Sequence, residues 1–288
     1  MAYLGSKANS KGIIEILNNP MFNDYDYLEP FFGYGRIGFR VTNKNSYTLS
    51  DYNTNLVKLY AYLQSNPTSY PVISKDEYYR LKTSTDPDDT NNRVVAAFAY
   101  SWFGKEFGSY VPISRAQSNL NYYDKIRTNS VFIDNTIRQC DYGEYNPVGK
   151  LIYCDPPYES TCGYRNNSGG KNHFDHDKFW STIREWSKSN WVLVSEYHAP
   201  SDFVSVNEYT KKTTLNGAGT GCRVKITTEK MFIHESRLEE YKKKLVIVPV
   251  LAKVSRKRPC KTVTLATVVK EKDTPWSWYK YVLYFFLL

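Results

Sequence analysis

The chain has 288 residues, 41% of them hydrophobic and 16% aromatic, which argues for a globular fold of one large domain, or one domain with an insertion. Its five cysteines are odd in number and contain no CxxC pair, which argues against a disulfide framework or a four-thiol zinc site and for a reducing, intracellular compartment. The net charge of +9 is local, because residues 237–272 hold 11 Lys/Arg against 3 Asp/Glu while residues 1–236 are nearly balanced; the basic character belongs to a tail and says little about what the main body binds.

"MAYLGSKANSKG" has no long apolar stretch, so no secretory signal is expected. No run approaches the ~20 apolar residues of a membrane span. "YDYLEP" (25–30) reads as a short strand running into a glycine turn, and a helix is expected to follow that turn. "YTLSD" (47–51) reads as a second strand ending on an acid. In "NTNLVKLYAYLQ" (53–64), Leu56, Leu59, Tyr60 and Leu63 make a helical stripe behind Asn53 as cap. Polar, turn-rich text fills 65–92, an apolar helical segment follows at 93–103, and 104–127 shows no clear period. "SVFID" (130–134) resumes the alternation of a strand, and "KLIYC" (150–154) is a buried strand that ends on "DPPY". A helix with Phe179, Ile183 and Trp186 on one face, a strand at "WVLVSEY" (191–197) and a late strand or hairpin at 222–234 complete the pattern. Strands interleaved with helices make a mostly parallel α/β sheet, whose ligands gather at the carboxyl ends of the strands. Most of the 26 tyrosines are expected as half-buried packing residues.

"YLEPFFGYGRIGF" (27–39) contains Gly33-x-Gly35-x-x-Gly38, and Asp51 follows Gly33 by 18 residues at the end of the next strand. A glycine turn after a strand, with an acid placed to accept from two ribose hydroxyls, fits any adenosine cofactor, NAD included. "DPPY" (Asp155, Pro156, Pro157, Tyr158) makes the choice. Two prolines fix φ and remove two amide donors, leaving a rigid loop of bare carbonyls. An exocyclic amine on a base is a poor nucleophile because its lone pair is delocalised into the ring. The Asp155 carboxylate and the Pro156 carbonyl can accept its two N–H bonds and redirect that lone pair, an electrostatic and positional device. Tyr158 would stack on the base, worth ~1–3 kcal/mol, and a base inside a duplex would first have to flip out.

With "YLGSK" (3–7), "EPFFGYG" (29–35), "LSDYN" (49–53), "CDY" (140–142), "DPPY", "VSEY" (194–197) and "RVKITTEKMFI" (223–233) in that order, the first 235 or so residues resemble the Dam-like class of DNA adenine N6-methyltransferases. The resemblance implies a Rossmann-like sheet that uses S-adenosylmethionine, with a core at 1–64 and 128–236. It implies a mainly helical target-recognition region inserted at 65–127, and it leaves 237–288 as an extension without assigned role. It implies cofactor contacts at Tyr3, Lys7, Glu29, Phe31, Gly33, Gly35, Asp51, Asp141, Tyr142 and Asp155. Lys7 would pair with the methionine carboxylate, Asp51 would hold the ribose, and Asp141 and Tyr142 would lie by the adenine. The implied partner is double-stranded DNA, with neither metal nor membrane involved. A companion restriction endonuclease fits the class, and the enzyme is expected as a monomer or weak dimer.

The recognition stretch departs from the family's usual Asn-Arg or Asn-Lys and Phe-Asn-Gly text, so the familiar palindromic target is not carried over. Lys105, Tyr110, Arg115, Gln117 and Asn119 are the candidates for reading DNA, since Arg suits guanine and Gln or Asn suits adenine. "HFDHD" (173–177) reads as the polar start of a helix rather than a metal site. The basic run "SRKRPCK" (255–261) could add salt-sensitive affinity for phosphates or be a solvated extension. Two other readings stay open at this point: an RNA base methyltransferase, and a DNA-binding relative without turnover. An NAD oxidoreductase is more remote.

Overall fold

A computed structural model of the chain describes residues 11–159, 174–217 and 220–246. Its strands are β1 (Asp26–Glu29), β2 (Tyr47–Asp51), β3 (Ile137–Gln139), β4 (Lys150–Cys154), β5 (Trp191–Glu196), β6 (Phe203–Gly217) and β7 (Thr220–His234). They join one sheet in the order β3-β2-β1-β4-β5-β7-β6. The first five run parallel, and β7 enters antiparallel between β5 and β6. The helices are α1 (Lys11–Leu17), α2 (Thr54–Gln64), α3 (Lys75–Thr83), α4 (Thr90–Phe98), α5 (Ile113–Arg127), α6 (Ser130–Asp134), α7 (His176–Ser187) and α8 (Leu238–Val246).

Alternation along the central strands divides the core between the two faces of the sheet. Tyr27, Leu151, Tyr153, Trp191 and Leu193 point to one face, beneath the stripe Leu56, Leu59, Tyr60 and Leu63 of α2 and the apolar body of α4. Leu28, Ile152, Cys154, Val192 and Val194 point to the other, where Phe179, Trp180, Ile183 and Trp186 of α7 cover them. Asn53 caps α2 as its sequence suggests, accepting from the Leu56 amide at 3.1 Å. Asp175 caps α7, accepting from Lys178 N at 2.9 Å.

Several tyrosines are buried more deeply than expected: Tyr27, Tyr60, Tyr78, Tyr100 and Tyr153 are fully enclosed. Each hydroxyl has a partner, namely Glu29, the Gly33 carbonyl, Ser101, the Pro71 carbonyl and Ser195. A buried phenol that finds such a partner keeps its apolar gain without an unpaired polar tip.

Four local expectations change. The glycine turn leads to a single 3-10 turn, Gly38–Arg40, instead of a helix. The Asn18 side chain takes the Arg40 carbonyl and the Thr42 amide, both at 2.9 Å, which a continuing helix would have used. "SVFID" is the short helix α6, capped by Asn129. Its neighbours Val131 and Phe132 are both buried, which a half-exposed strand could not arrange; the strand comes after it, at β3. Within 65–92, Ser74 caps α3, which buries only Tyr78 and Leu81. Within 104–127, α5 buries Ala116, Asn119, Leu120, Tyr123 and Ile126. That stripe has helical spacing, but a small and a polar residue hide it in the text. Residues 65–127 are accordingly helical, and α4 and α5 pack on α2.

Candidate active site

Four acids stand at the carboxyl edge of four adjacent parallel strands: Asp51 on β2, Glu29 on β1, Asp155 after β4 and Glu196 on β5. In an open α/β sheet this edge is where ligands bind. Asp51 is tied to the glycine turn, for its carboxylate accepts from Gly33 N at 2.7 Å and from Asn53 N at 2.8 Å. Burial pushes the Asp51 carboxyl up, and the two backbone donors oppose that. The turn itself is braced by Tyr60, whose hydroxyl donates to the Gly33 carbonyl at 2.7 Å.

Gly33 has φ +51°, and among the described residues a Cβ there would meet no atom within 4 Å. The turn is therefore uncrowded by the described residues on this side, next to Asp51. Gly38 is a glycine for a different reason. A Cβ would sit 2.5 Å from the Phe32 ring and 2.6 Å from the Glu29 carboxylate. It completes the GxGxxG spacing in a place where close packing leaves no room for a side chain.

Glu29 is 2% exposed and accepts from the Tyr27 hydroxyl at 2.7 Å. Burial, reinforced by the nearby Asp155 and Asp51 carboxylates, holds its carboxyl well above the usual range. Phe31 joins Tyr142, Phe174 and Phe179 in an aromatic cluster, with ring centroids 5.3 to 5.9 Å from its own. Tyr142 is buried there, while Asp141 and Glu144 form a reciprocal capping box on the 3-10 turn Tyr142–Glu144. Cys140 N donates to the Asp51 carbonyl, which keeps this segment beside the end of β2. Tyr3 and Lys7 lie outside the described residues.

The "DPPY" loop is fastened at its far end. Glu196, 3% exposed, accepts from the Glu159 amide at 2.9 Å and also from the Tyr197 amide. The Tyr158 hydroxyl donates to the buried Glu229 carboxylate at 2.7 Å. The Tyr158 ring meets Tyr197 edge to face, with centroids 4.9 Å apart and planes at 79°. Pro156 is buried and Asp155 half-buried. Glu196, Tyr197 and Glu229 acquired no role from the sequence. Glu196 is an acid at the end of the apolar strand WVLVSE, whereas Glu229 lies among the Lys and Thr residues of β7 and its burial has no local signal.

Within residues 65–127, Ser101 pairs with Tyr110 to close a loop that carries Trp102 and Phe103, 46% and 49% exposed, with Phe103 in left-handed backbone at φ +53°. Glu106 fastens this loop to the start of α2, accepting from Asn53 Nδ2 at 2.8 Å and from Asn55 Nδ2. Lys105, Arg115 and Gln117 are exposed. The Arg115 guanidinium lies 5.2 Å from the Trp102 ring centroid, and Gln117 donates to Asn121 at 2.8 Å.

Two of the DNA-reading candidates, Asn119 and Tyr110, have side-chain polar groups engaged within the fold. Asn119 is 5% exposed, and its amide donates to the Ala99 carbonyl at 2.8 Å, so it belongs to the packing of α5. Tyr110 stacks on Tyr100 and donates to the Ile73 carbonyl at 3.2 Å, holding the base of the loop. Asn119→Ala strands a buried carbonyl and should cost about 1–2 kcal/mol of stability. Thermal unfolding should register that loss, while sequencing of modified DNA should show an unaltered target. A changed target with unchanged stability would mark Asn119 as a reader.

Among the described residues no group of three or more His, Cys, Asp or Glu could hold a metal ion, and no helix is long and apolar enough to cross a membrane.

Residues 3–95 match the family described as D12 class N6 adenine-specific DNA methyltransferase. A DNA adenine methylase of Haemophilus influenzae is 26% identical over 178 residues, and the match spans 50% of this chain and 60% of that relative. A DNA adenine methylase of Vibrio cholerae is 24% identical over 215 residues, spanning 64% of this chain and 76% of the relative. Among solved structures, the rRNA methyltransferase aviRa from Streptomyces viridochromogenes superposes with a TM-score of 0.35 at 10% identity, over 83% of this chain and 88% of that one.

The seven-stranded sheet, five strands parallel with β7 antiparallel, is a Rossmann-like methyltransferase fold. Within that class, the chain resembles the Dam-like, adenine-specific DNA methyltransferases, as its motifs lead one to expect.

Proposed function

We propose that this chain methylates the N6 amino group of adenine in double-stranded DNA, with S-adenosylmethionine as donor and the target base flipped out of the helix. The observation that carries the reading is the placement of the anchored "DPPY" loop two strands from the Gly33–Asp51 cradle, about 10 Å away across the sheet. An adenosine cofactor and an extrahelical base can meet within that span. S-adenosylmethionine supplies a methyl group on a positively charged sulfur, so neither a metal nor a strong base is needed.

The chain's own residues do the remainder. Asp51 and the Gly33 turn hold the ribose side, with Phe31, Asp141 and Tyr142 beside the adenine. By the motif resemblance, Tyr3 and Lys7 serve the methionine end. Asp155 and the Pro156 carbonyl accept the two N–H bonds of the target amine and aim its lone pair. Once the new C–N bond forms, the surplus amine proton lies on a hydrogen bond to Asp155, which can receive it. Pro157 keeps the loop rigid, and Tyr158 offers its face to the base. Lys105, Arg115 and Gln117 are the exposed polar residues left to contact DNA, with residues 65–127 as the recognition region.

The test uses the full chain with radiolabelled S-adenosylmethionine, offered duplex DNA and folded RNA side by side. Label should appear in DNA, and digestion should yield N6-methyladenine. Label in RNA alone would transfer the reading to an RNA base methyltransferase. Cofactor binding without transfer to either would leave a DNA-binding relative that lacks turnover.

A further inference from the structure

A cavity of about 300 Å³ opens between the segment after β1 and the C-terminal half of α5. Gly35, Arg36, Arg40, Tyr122, Lys125 and Asn129 line it, and no carboxylate does among the described residues. Its neutral donors are already committed to the fold. The Tyr122 hydroxyl donates to the Tyr34 carbonyl at 2.9 Å, and the Asn129 amide donates to the Phe39 carbonyl at 2.9 Å. Two of the cations, Arg36 and Lys125, are not so committed among the described residues. The Arg36 guanidinium carbon lies 3.4 Å from the Tyr122 ring centroid, and its buried Nε has no hydrogen-bond partner among the described residues. Among the described residues, neither Arg36 nor Lys125 forms an ion pair with an acid. Pinning Tyr122 by its hydroxyl fixes the plane on which Arg36 rests, so one cation is held in position before any ligand arrives.

We propose that this cavity is a binding site for a phosphodiester of the DNA backbone, away from the flipped base. The proposal rests on the DNA methyltransferase reading above. A fixed guanidinium fork beside a flexible ammonium suits a tetrahedral, doubly accepting phosphate group. The helix supplies the reason to assign that phosphate to the substrate duplex. α5 leaves the recognition loop within two residues of Val111 and carries exposed Arg115 near its start and exposed Lys125 near its end. Ten residues of helix separate the two by about 15 Å, which is the rise of roughly four base pairs. A duplex engaged by the loop and running along α5 would bring a phosphate to the cavity. Such a contact positions the DNA and carries no sequence information.

The test is the salt dependence of DNA binding by the full chain, measured by fluorescence anisotropy on a duplex of arbitrary sequence, for the wild type and for Arg36→Gln/Lys125→Gln. The lost phosphate contact should flatten the plot of log K against log salt by about 0.9 in the double variant. Its affinity should fall about tenfold or more at low salt, equally on methylatable and non-methylatable duplexes. Lys125→Gln alone changes one exposed side chain, so folding is not at issue, and it should lose about half of that slope. An unchanged slope in both variants overturns the proposal. So does thermal stabilisation of the wild type by inorganic phosphate with no effect of the variants on DNA binding, which would mark a site for a small free anion. Failure of the wild type to methylate DNA would sink the proposed function instead, and the binding slope would still be readable.

Discussion

Asp155→Ala should abolish methyl transfer and leave DNA affinity largely intact. The mechanism asks this carboxylate for a contact that matters most as the amine becomes tetrahedral, and it asks little of it in holding the duplex. Removing one such preorganised electrostatic contact costs on the order of 10²–10³ in kcat, and the loss of the proton's destination should push the effect to the upper end or beyond. Asp155→Asn keeps one oxygen acceptor and the shape of the loop, so it should retain more activity than alanine and less than wild type. Single-turnover transfer under saturating DNA separates the chemical step from binding. Wild-type turnover by Asp155→Ala would end the proposed mechanism, whatever the fold. Loss of DNA binding in step with activity would instead make Asp155 a structural prop of the loop.

The elements that pack against the sheet were the most readable part of the sequence, because burial writes itself as periodicity. The stripe of α2, its Asn53 cap and the strands β2, β4 and β5 follow from spacing alone. The segments that misled are those where packing is achieved with atypical residues. Asn119 occupies a core position of α5 because Ala99 offers it a carbonyl, and the stripe is then invisible to a hydrophobic count. In α6, β-branched Val131 and Ile133 lean toward a strand, and only the Asn129 cap and the tertiary burial of two neighbouring side chains override them.

The same contrast holds at the site. Asp51, Gly33 and the "DPPY" loop carry their chemistry in local text, so their positions could be read. Glu196 and Glu229 act across the sheet, 37 and 71 residues from the atoms they hold, and nothing local announces such a partner. Glu29 falls between these cases. Its motif marked it as a cofactor contact, yet its burial and its bond to Tyr27 also give it a role in holding the end of β1 beside Gly38.

Tyr158→Ala should weaken capture of the flipped base by about 1–3 kcal/mol, the value of one base–aromatic stack, or roughly 5- to 150-fold in the equilibrium for an extrahelical base. A fluorescent adenine analogue at the target position reports this directly, because its emission rises when it leaves the stack. The hydroxyl makes a separate contribution that the structure allows one to isolate. Burial holds the Tyr158 phenol well above its usual range, with the Asp155 and Glu229 charges adding to the effect, so it stays neutral and donates to Glu229. Glu229, 1% exposed on β7, thereby fixes the ring plane while Tyr197 limits its swing. Tyr158→Phe keeps the stacking face and removes the donor; Glu229→Gln keeps an acceptor, and Glu229→Leu removes it. Tyr158→Phe and Glu229→Leu should each lower the analogue's signal, and Glu229→Gln should recover most of it. Combining Tyr158→Phe with Glu229→Leu should cost less than the sum of the two, with a coupling of about 0.5–3 kcal/mol. Strict additivity would mean that Glu229 supports the sheet without orienting the ring. A full signal from Tyr158→Ala would mean that the base stacks elsewhere, and the pocket would then have to be sought away from the "DPPY" loop.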